Sequence, residues 1–331
     1  MSKLLQVKNL KTSFFTTDGE VEAVSGVSYY VDQEEVIAIV GESGCGKSVT
    51  QMSVMQLVQT PPGKILSGEV LLEGDDLLKY PARSKEMLAV RGSKISMIFQ
   101  EPMTSLNPVL TVGYQLSEMI RIHKMISKAE AYKQGISLLE QVGIPDPVQR
   151  MKEYPFQMSG GMRQRVMIAL AISCDAKLII ADEPTTALDV TTQAQIMEKL
   201  LEVVKRNKTA LVIVTHNLGL VARYAQRIYV MYAGMVIESG TTYDILNKPQ
   251  HPYTKGLLAS VPRLDQDRGQ ALIPIPGAPP RLIGLPDRCR FHPRCGQACE
   301  KCRGPAPELL RVDDGIHYVA CHMAEEVAEN A

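Results

Sequence analysis

The chain has 331 residues, 45% of them hydrophobic and 22% charged, which is enough for two domains and a substantial core. Lys plus Arg equals Asp plus Glu at 36 each, so no global charge favours a polyanion and nucleic-acid binding has no electrostatic basis. No apolar run approaches the ~18 residues of a membrane span, and the N-terminus is too short and polar for a signal peptide; the chain is expected in the cytosol, or docked on a membrane through another subunit.

In chain order, residues 5–7 and 27–31 read as strand pieces around an Asp18-Gly19 hairpin turn. Phe14 and Phe15 precede that turn; an aromatic ring there is placed either to stack on a base or to pack an edge. Residues 36–40, Val-Ile-Ala-Ile-Val, are a short β-branched strand. It runs into Gly41-Glu42-Ser43-Gly44-Cys45-Gly46-Lys47-Ser48. That loop has four variable positions between glycines, then Gly-Lys-Ser, and residues 49–57 can continue as a helix. Glycines let backbone N–H groups turn toward phosphates, and a helix N-terminus adds partial positive charge. Lys47 is expected to reach the β- and γ-phosphates and Ser48 to ligate Mg²⁺.

A strand over 68–74 follows, and another over 95–100 ends on Gln100, whose amide can face Mg²⁺ or an attacking water. Pro102 and Pro108 make 101–108 a loop. Residues 111–175 look helical, with apolar positions at helical spacing over 114–125 and 128–142 and Gly143 as a cap. Ser159-Gly160-Gly161 opens a helix over 163–173 and offers a second anion-binding helix start. Residues 178–182 form an apolar strand ending at Asp182, placed to hold Mg²⁺, and Glu183, placed to orient or deprotonate water. A helix over 191–205 comes next. The strand over 210–215 ends on His216, a candidate γ-phosphate contact, and 234–240 reads as the last strand of this domain.

These stretches, in this order, resemble the ATP-binding subunits of ABC transporters: Walker A at 41–48, Q-loop Gln100, signature 158–162, Walker B 178–183, D-loop Ala187-Leu188-Asp189 and H-loop His216. The resemblance implies an α/β nucleotide-binding domain over 1–250, with a RecA-like core, an antiparallel β subdomain and a helical insertion at about 101–170. It adds a small Cys-rich C-terminal extension over 251–331. It implies an ATP site of Phe15, Gly41, Ser43, Gly44, Cys45, Gly46, Lys47, Ser48 and Val49, with Mg²⁺ at Ser48, Gln100 and Asp182. Glu183, His216 and Gln100 would be catalytic. In a head-to-tail dimer, Ser159, Gly160 and Gly161 of the other subunit would close on the nucleotide, with Asp189 in the same set. Met158 stands where Leu is usual and Met162 where Gln is usual; Ser159-Gly160-Gly161 is intact.

Residues 251–258 and 274–280 resemble the tail of the oligopeptide and dipeptide importer ATPases. Proline density makes 261–286 an extended linker rather than a packed element, and His251 is expected to cap and dock a helix. Of seven cysteines, five lie after position 288; in a cytosolic chain such a cluster suggests metal rather than disulfides. The resemblance assigns Cys289, Cys295, Cys302 and Cys321 to a [4Fe–4S] cluster, with Cys299 spare. The alternatives are structural zinc, with His292, His317 or His322 as further ligands, and a metal-free cluster. Cys45 and Cys174 read as small packing residues.

The expected function is ATP hydrolysis that powers di- or oligopeptide import. The expected partners are a second ATPase subunit (or a second copy), two transmembrane permease subunits that meet the loop around 101–125, and an extracytoplasmic peptide-binding protein. The expected place is the cytoplasmic face of the membrane. A nickel or other small-solute importer of the same subfamily is the alternative. A soluble ABC ATPase acting on ribosomes or DNA is opposed by the single ATPase domain and the absence of a basic patch. An iron-sensing ATPase without a transporter is a further rival.

Overall fold

The computed structural model describes residues 3–100, 105–185, 189–261, 274–313 and 315–324. Expectations on 101–104, on Ala187 and Leu188 and on 262–273 lie outside them. In chain order come β1 (Lys3–Thr16), β2 (Gly19–Asp32), β3 (Val36–Val40), α1 (Lys47–Val54), β4 (Gly63–Leu72), β5 (Asp75–Asp76), α2 (Lys85–Val90) and β6 (Ile95–Ile98). Next are α3 (Val112–Lys124), α4 (Lys128–Gln141), α5 (Pro147–Arg150), α6 (Gly160–Ile172), β7 (Leu178–Asp182), α7 (Val190–Arg206) and β8 (Ala210–Thr215). The remainder is α8 (Leu218–Tyr224), β9 (Arg227–Tyr232), β10 (Met235–Thr241), α9 (Thr242–Asn247), α10 (Pro252–Ala259), β11 (Leu310–Arg311) and β12 (Tyr318–Val319). The described residues form two compact bodies, one mainly of those within 79–214, the other of 5–30, 36–78 and those described from 215 onward.

In the first body β6, β7 and β8 run parallel, with Ile95 opposite Leu178 and Asp182 opposite Val214. Every residue of β6 and β7 is buried, as a parallel strand covered on both faces requires. Thr111 and Ser127 cap α3 and α4, each accepting from a backbone N–H three residues on. Val112, Leu116 and Ile120 are fully buried on α3 at a spacing of four. Helix α4 ends at Gly143, whose left-handed φ of +75° no β-carbon opposes. Its termini and those of α3, as well as β6, β7, α6 and α7, lie within a few residues of the expected ones because cap, period and stop signals agree there.

In the second body β2, β1, β4 and β5 form one antiparallel sheet, with Leu5 opposite Leu72. The turn at Thr17-Asp18 closes the expected hairpin, though its strands are longer than the apolar pieces suggested. Strands β3 and β9 run parallel; β9, β10 and β12 continue antiparallel, with Glu238 opposite Val319. Thus β10 is not a terminal strand: the end of the chain returns to pair with it. The described part of the supposed linker is also not loose. Glu22 N–H donates to the Leu282 carbonyl at 2.8 Å and Val21 bridges Ile283. Proline density forbids a regular ladder, but isolated extended residues can still pair with a strand edge.

A buried carboxylate knits this body together. Glu238, fully enclosed on β10, accepts from the N–H groups of Gln250 and His251 at 2.7 and 3.0 Å and sits 2.9 Å from His317 Nε2. His251 caps α10 as expected, its Nδ1 accepting from Tyr253 N–H at 3.0 Å. That bond requires an unprotonated Nδ1. Burial lowers the His251 pKa from 6.5 to about 4, assisted by Lys255 and opposed by Glu238. The unfolded state therefore binds the proton first. Stability from neutral His251 is complete above pH 6.5 and is lost as pH falls toward 4, by about 3 kcal/mol in total. Urea unfolding at pH 7 and pH 5 should show a loss of about 2 kcal/mol. His251→Asn, which keeps a capping acceptor, should lack most of that loss; equal pH slopes in both proteins would remove His251 as its source.

Candidate functional site

The second body carries the glycine loop between β3 and α1. Gly41 lies so close to β9 that a β-carbon would stand 2.2 Å from the Met231 carbonyl oxygen. Gly46 has φ +101°, and a β-carbon there would stand 2.2 Å from the Ala23 carbonyl oxygen. The loop is thereby held against two strands, and α1 begins at Lys47 with no side-chain cap on its first N–H groups. Those N–H groups are what an anion would meet. Lys47 is buried and donates to the carbonyls of Gly41 and Glu42 at 2.8 and 3.0 Å. Ser43 and Gly44 are exposed at the tip, and Ser48 and Val49 are half-buried on the first turn of α1. Cys45 is enclosed; burial pushes its thiol up, against the pull of Lys47, so it packs rather than reacts. Phe15 is exposed on β1 beside the hairpin, where a flat ligand could reach it.

The first body carries the carboxylates. Asp182 ends β7 and is buried. Glu183 follows with φ +43°, uncommon outside glycine, and its N–H donates to the Val214 carbonyl at 2.8 Å. Gln100, just past β6, donates from Nε2 to Glu183 Oε2 at 3.1 Å. Parallel pairing of β6 with β7 brings these residues together across 83 positions of sequence. Ser159 caps α6, accepting from Met162 N–H at 3.3 Å, while Met158 is buried behind it. Asp189 caps α7, accepting from Thr192 N–H at 2.9 Å and its hydroxyl at 2.7 Å. Those bonds hold the Asp189 carboxyl below its ordinary range. A β-carbon on Gly161 would meet Thr192 Cγ2 at 3.1 Å, so Gly161 and Asp189 border one residue. His216, which belongs to the second body, follows directly on β8 and is exposed.

The cysteine-rich segment lies in the second body, and none of the seven cysteines is in a disulfide. Cys299 and Cys302 sulfurs are 3.5 Å apart. Burial, chiefly, lifts the thiols of Cys289, Cys302 and Cys321, Cys302 to about 11. The remaining lift comes from one another and from Cys295 and Cys299. Cys289 thus interacts with Cys295, Cys302 and Cys321, Cys299 with Cys302 and Cys321, and Cys295 with Cys321; thiols so grouped could serve a cation as ligands once deprotonated. Among the described residues only Asp244, Asp313 and His317 bring three ligand atoms within 4.8 Å of one another. A single tetrahedral zinc would bring its sulfurs to about 3.8 Å from Zn–S bonds of ~2.3 Å; a cubane spreads its four thiolates over separate irons. Cys289, Cys295, Cys302 and Cys321 offer sulfur ligands that either a cluster or one zinc ion could take.

Sequence reasoning missed the surroundings of Glu42. Its N–H donates to the Tyr253 hydroxyl at 2.8 Å and its carboxylate is clasped by Arg294. Nothing in the local pattern marks either partner, since both are more than 200 positions away.

Residues 24–186 match the family described as ABC transporter, and residues 237–302 match the oligopeptide/dipeptide transporter C-terminal region. The chain is 50% identical over 332 residues to a dipeptide transport ATP-binding protein of Bacillus subtilis (strain 168), covering 100% of this chain and 98% of the relative. It is 46% identical over 319 residues to the dipeptide transport ATP-binding protein of Escherichia coli (strain K12), covering 96% of each. A solved ATP-binding cassette, a dimer in a post-hydrolysis state bound to ADP and Pi, overlays with TM-score 0.64 at 26% identity, covering 72% of this chain and 98% of that one.

If the loop is the anion cradle, Gly46→Ala forces both an unfavourable φ and a clash with the Ala23 carbonyl. ATP affinity by calorimetry should fall at least about tenfold while far-ultraviolet circular dichroism is unchanged. Affinity within twofold of wild type would show that this backbone does not hold the nucleotide.

Proposed function

We propose a peptide-import function on this footing: the chain belongs to the ABC transporter family, as an ATP-binding subunit of the dipeptide/oligopeptide class. It binds and hydrolyses ATP to power import of di- or oligopeptides through a membrane complex. It works with a second ATPase subunit, two permease subunits and a peptide-binding protein. The full-length similarity to dipeptide transport ATP-binding proteins carries this reading. No helix among the described residues is long and apolar enough to cross a membrane; attachment to the cytoplasmic face through the permeases is part of the proposal.

The roles at the site follow from the chemistry of each group. Gly41, Ser43, Gly44, Cys45, Gly46 and Val49 supply the loop and helix N–H groups to the phosphates, and Phe15 supplies a ring for adenine. Lys47 leaves the loop carbonyls for phosphate oxygens, a stronger charge-assisted partner. Ser48, Asp182 and Gln100 are the groups that would hold Mg²⁺, and the ion would neutralise charge developing on the transferred phosphoryl group. Glu183 takes the proton of the attacking water, steadied by Gln100; His216 contacts the γ-phosphate. Ser159, Gly160, Gly161 and Asp189 serve the nucleotide of the partner subunit. The C-terminal extension holds a [4Fe–4S] cluster on Cys289, Cys295, Cys302 and Cys321, which crosslinks a segment poor in regular structure.

Glu183→Gln should bind ATP normally while turnover falls about 10²–10⁴-fold. A host deleted for its own peptide-import ATPases should grow on defined di- or oligopeptides with the wild-type complex and not with this variant. Normal turnover would remove Glu183 as the base, and growth that never depends on this chain would sink the importer reading. Protein purified without oxygen should contain about four iron and four sulfide per chain; one zinc and no iron would replace the cluster by a structural zinc site.

A further inference from the structure

The segment between Cys289 and Cys295 sends Arg294 to the phosphate loop and Arg290 to the strands behind it. Arg294 is nearly enclosed and forms a two-point fork on Glu42: Nη1 to Oε2 at 2.7 Å and Nη2 to Oε1 at 3.0 Å. Its remaining N–H groups are also engaged. Nε donates to the Pro276 carbonyl at 2.9 Å, Nη2 to the Ile275 carbonyl at 3.4 Å and Nη1 to the Tyr232 hydroxyl at 3.4 Å. Tyr232 and Phe291 flank the guanidinium. Glu42 is therefore gripped at three points. Arg294 holds its carboxylate, Tyr253 takes its N–H, and Lys47 binds its carbonyl. Arg290 braces the layer behind. It donates to the Ala233 carbonyl and to Glu22, and the neighbouring Gly234 N–H donates to the Cys45 carbonyl at 2.9 Å.

We propose that Arg294 is a positioning residue for ATP binding: by clasping Glu42 it fixes the backbone of the phosphate loop in the shape that presents its N–H groups and Lys47 to the nucleotide. The inference rests on the ATP-site reading above and extends it to the C-terminal segment. Glu42 occupies a variable position of the loop motif, and its side chain is turned toward Arg294, away from any role as a ligand. The grip acts before chemistry, so it governs ground-state and transition-state binding alike. A planar fork is needed for two parallel bonds to one carboxylate, and a lysine ammonium cannot supply it.

The test is a double-mutant cycle on the assembled transporter, following ATPase kinetics. Arg294→Lys and Glu42→Gln should each raise KM for ATP about tenfold, with kcat within about twofold. The double variant should be no worse than the poorer single one, since both remove the same contact. A KM unchanged in Arg294→Lys, or effects that multiply in the double variant, would overturn the proposal. If Arg294→Lys fails to assemble, Glu42→Gln decides: its side chain is partly exposed and the exchange is isosteric, so an unchanged KM there overturns the proposal equally. A wild-type complex without ATPase activity would instead overturn the parent reading, and this inference with it.

Discussion

The constraint on which the site depends is the absence of room at two glycines. Gly41 is pressed on the Met231 carbonyl of β9 and Gly46 on the Ala23 carbonyl of β2, each with no space for a β-carbon. The loop is thus cast against two strands, and its shape follows from where those strands lie. Their position is set in turn by buried apolar strands: β9 is enclosed along its whole length and pairs in parallel with β3, Val40 opposite Val230. Nucleotide binding is in this sense a property of the sheet. Lys47 folded onto its own loop carbonyls is the matching electrostatic fact. Its ammonium is kept in place by two oxygens that a phosphate can replace.

The carboxylate side follows a similar rule. Glu183 takes a left-handed backbone conformation that its side chain does not favour, and the bond from its N–H to Val214 holds it there. Such strain is characteristic of positions where direction matters more than stability. The partner that receives this direction is Gln100, delivered by the strand next door. The acid at the end of β7 and the amide past the end of β6 are brought together by register.

The tail is joined to the phosphate loop rather than appended to it. Glu238 binds the N-terminus of α10 and His317 near β12; Tyr253 of α10 binds Glu42; Arg294 binds the same residue by its other end. The rings of Tyr232, Tyr253 and Phe291 pack among these contacts with centroids 4.7–5.5 Å apart, a geometry that adds to their burial energy. A segment with few elements of its own gains its form from β10 and from the loop it braces.

Much of this was legible in the sequence. The glycine loop between a β-branched strand and a helix, the carboxylates after 178–182, Gln100 after 95–98 and the Ser-Gly-Gly helix start each carry a local signal, because phosphate binding requires particular residues at particular spacings. Capped helices such as α3, α4 and α6 were readable for the same reason: capping and period are short-range. The extent of the hairpin strands, the return of the tail onto β10 and the pairing of residues 282–283 with β2 were not, since strand pairing is fixed by partners distant in sequence. The sequence alone nominated the groups proposed to bind phosphate, hold a metal or accept a proton, because their residue types and spacings are local. Tertiary structure decided that Glu42 is a structural anchor, that Arg294 and Tyr253 hold it, and that Gln100 reaches Glu183, because each of these contacts joins positions whose local patterns contain no trace of the other.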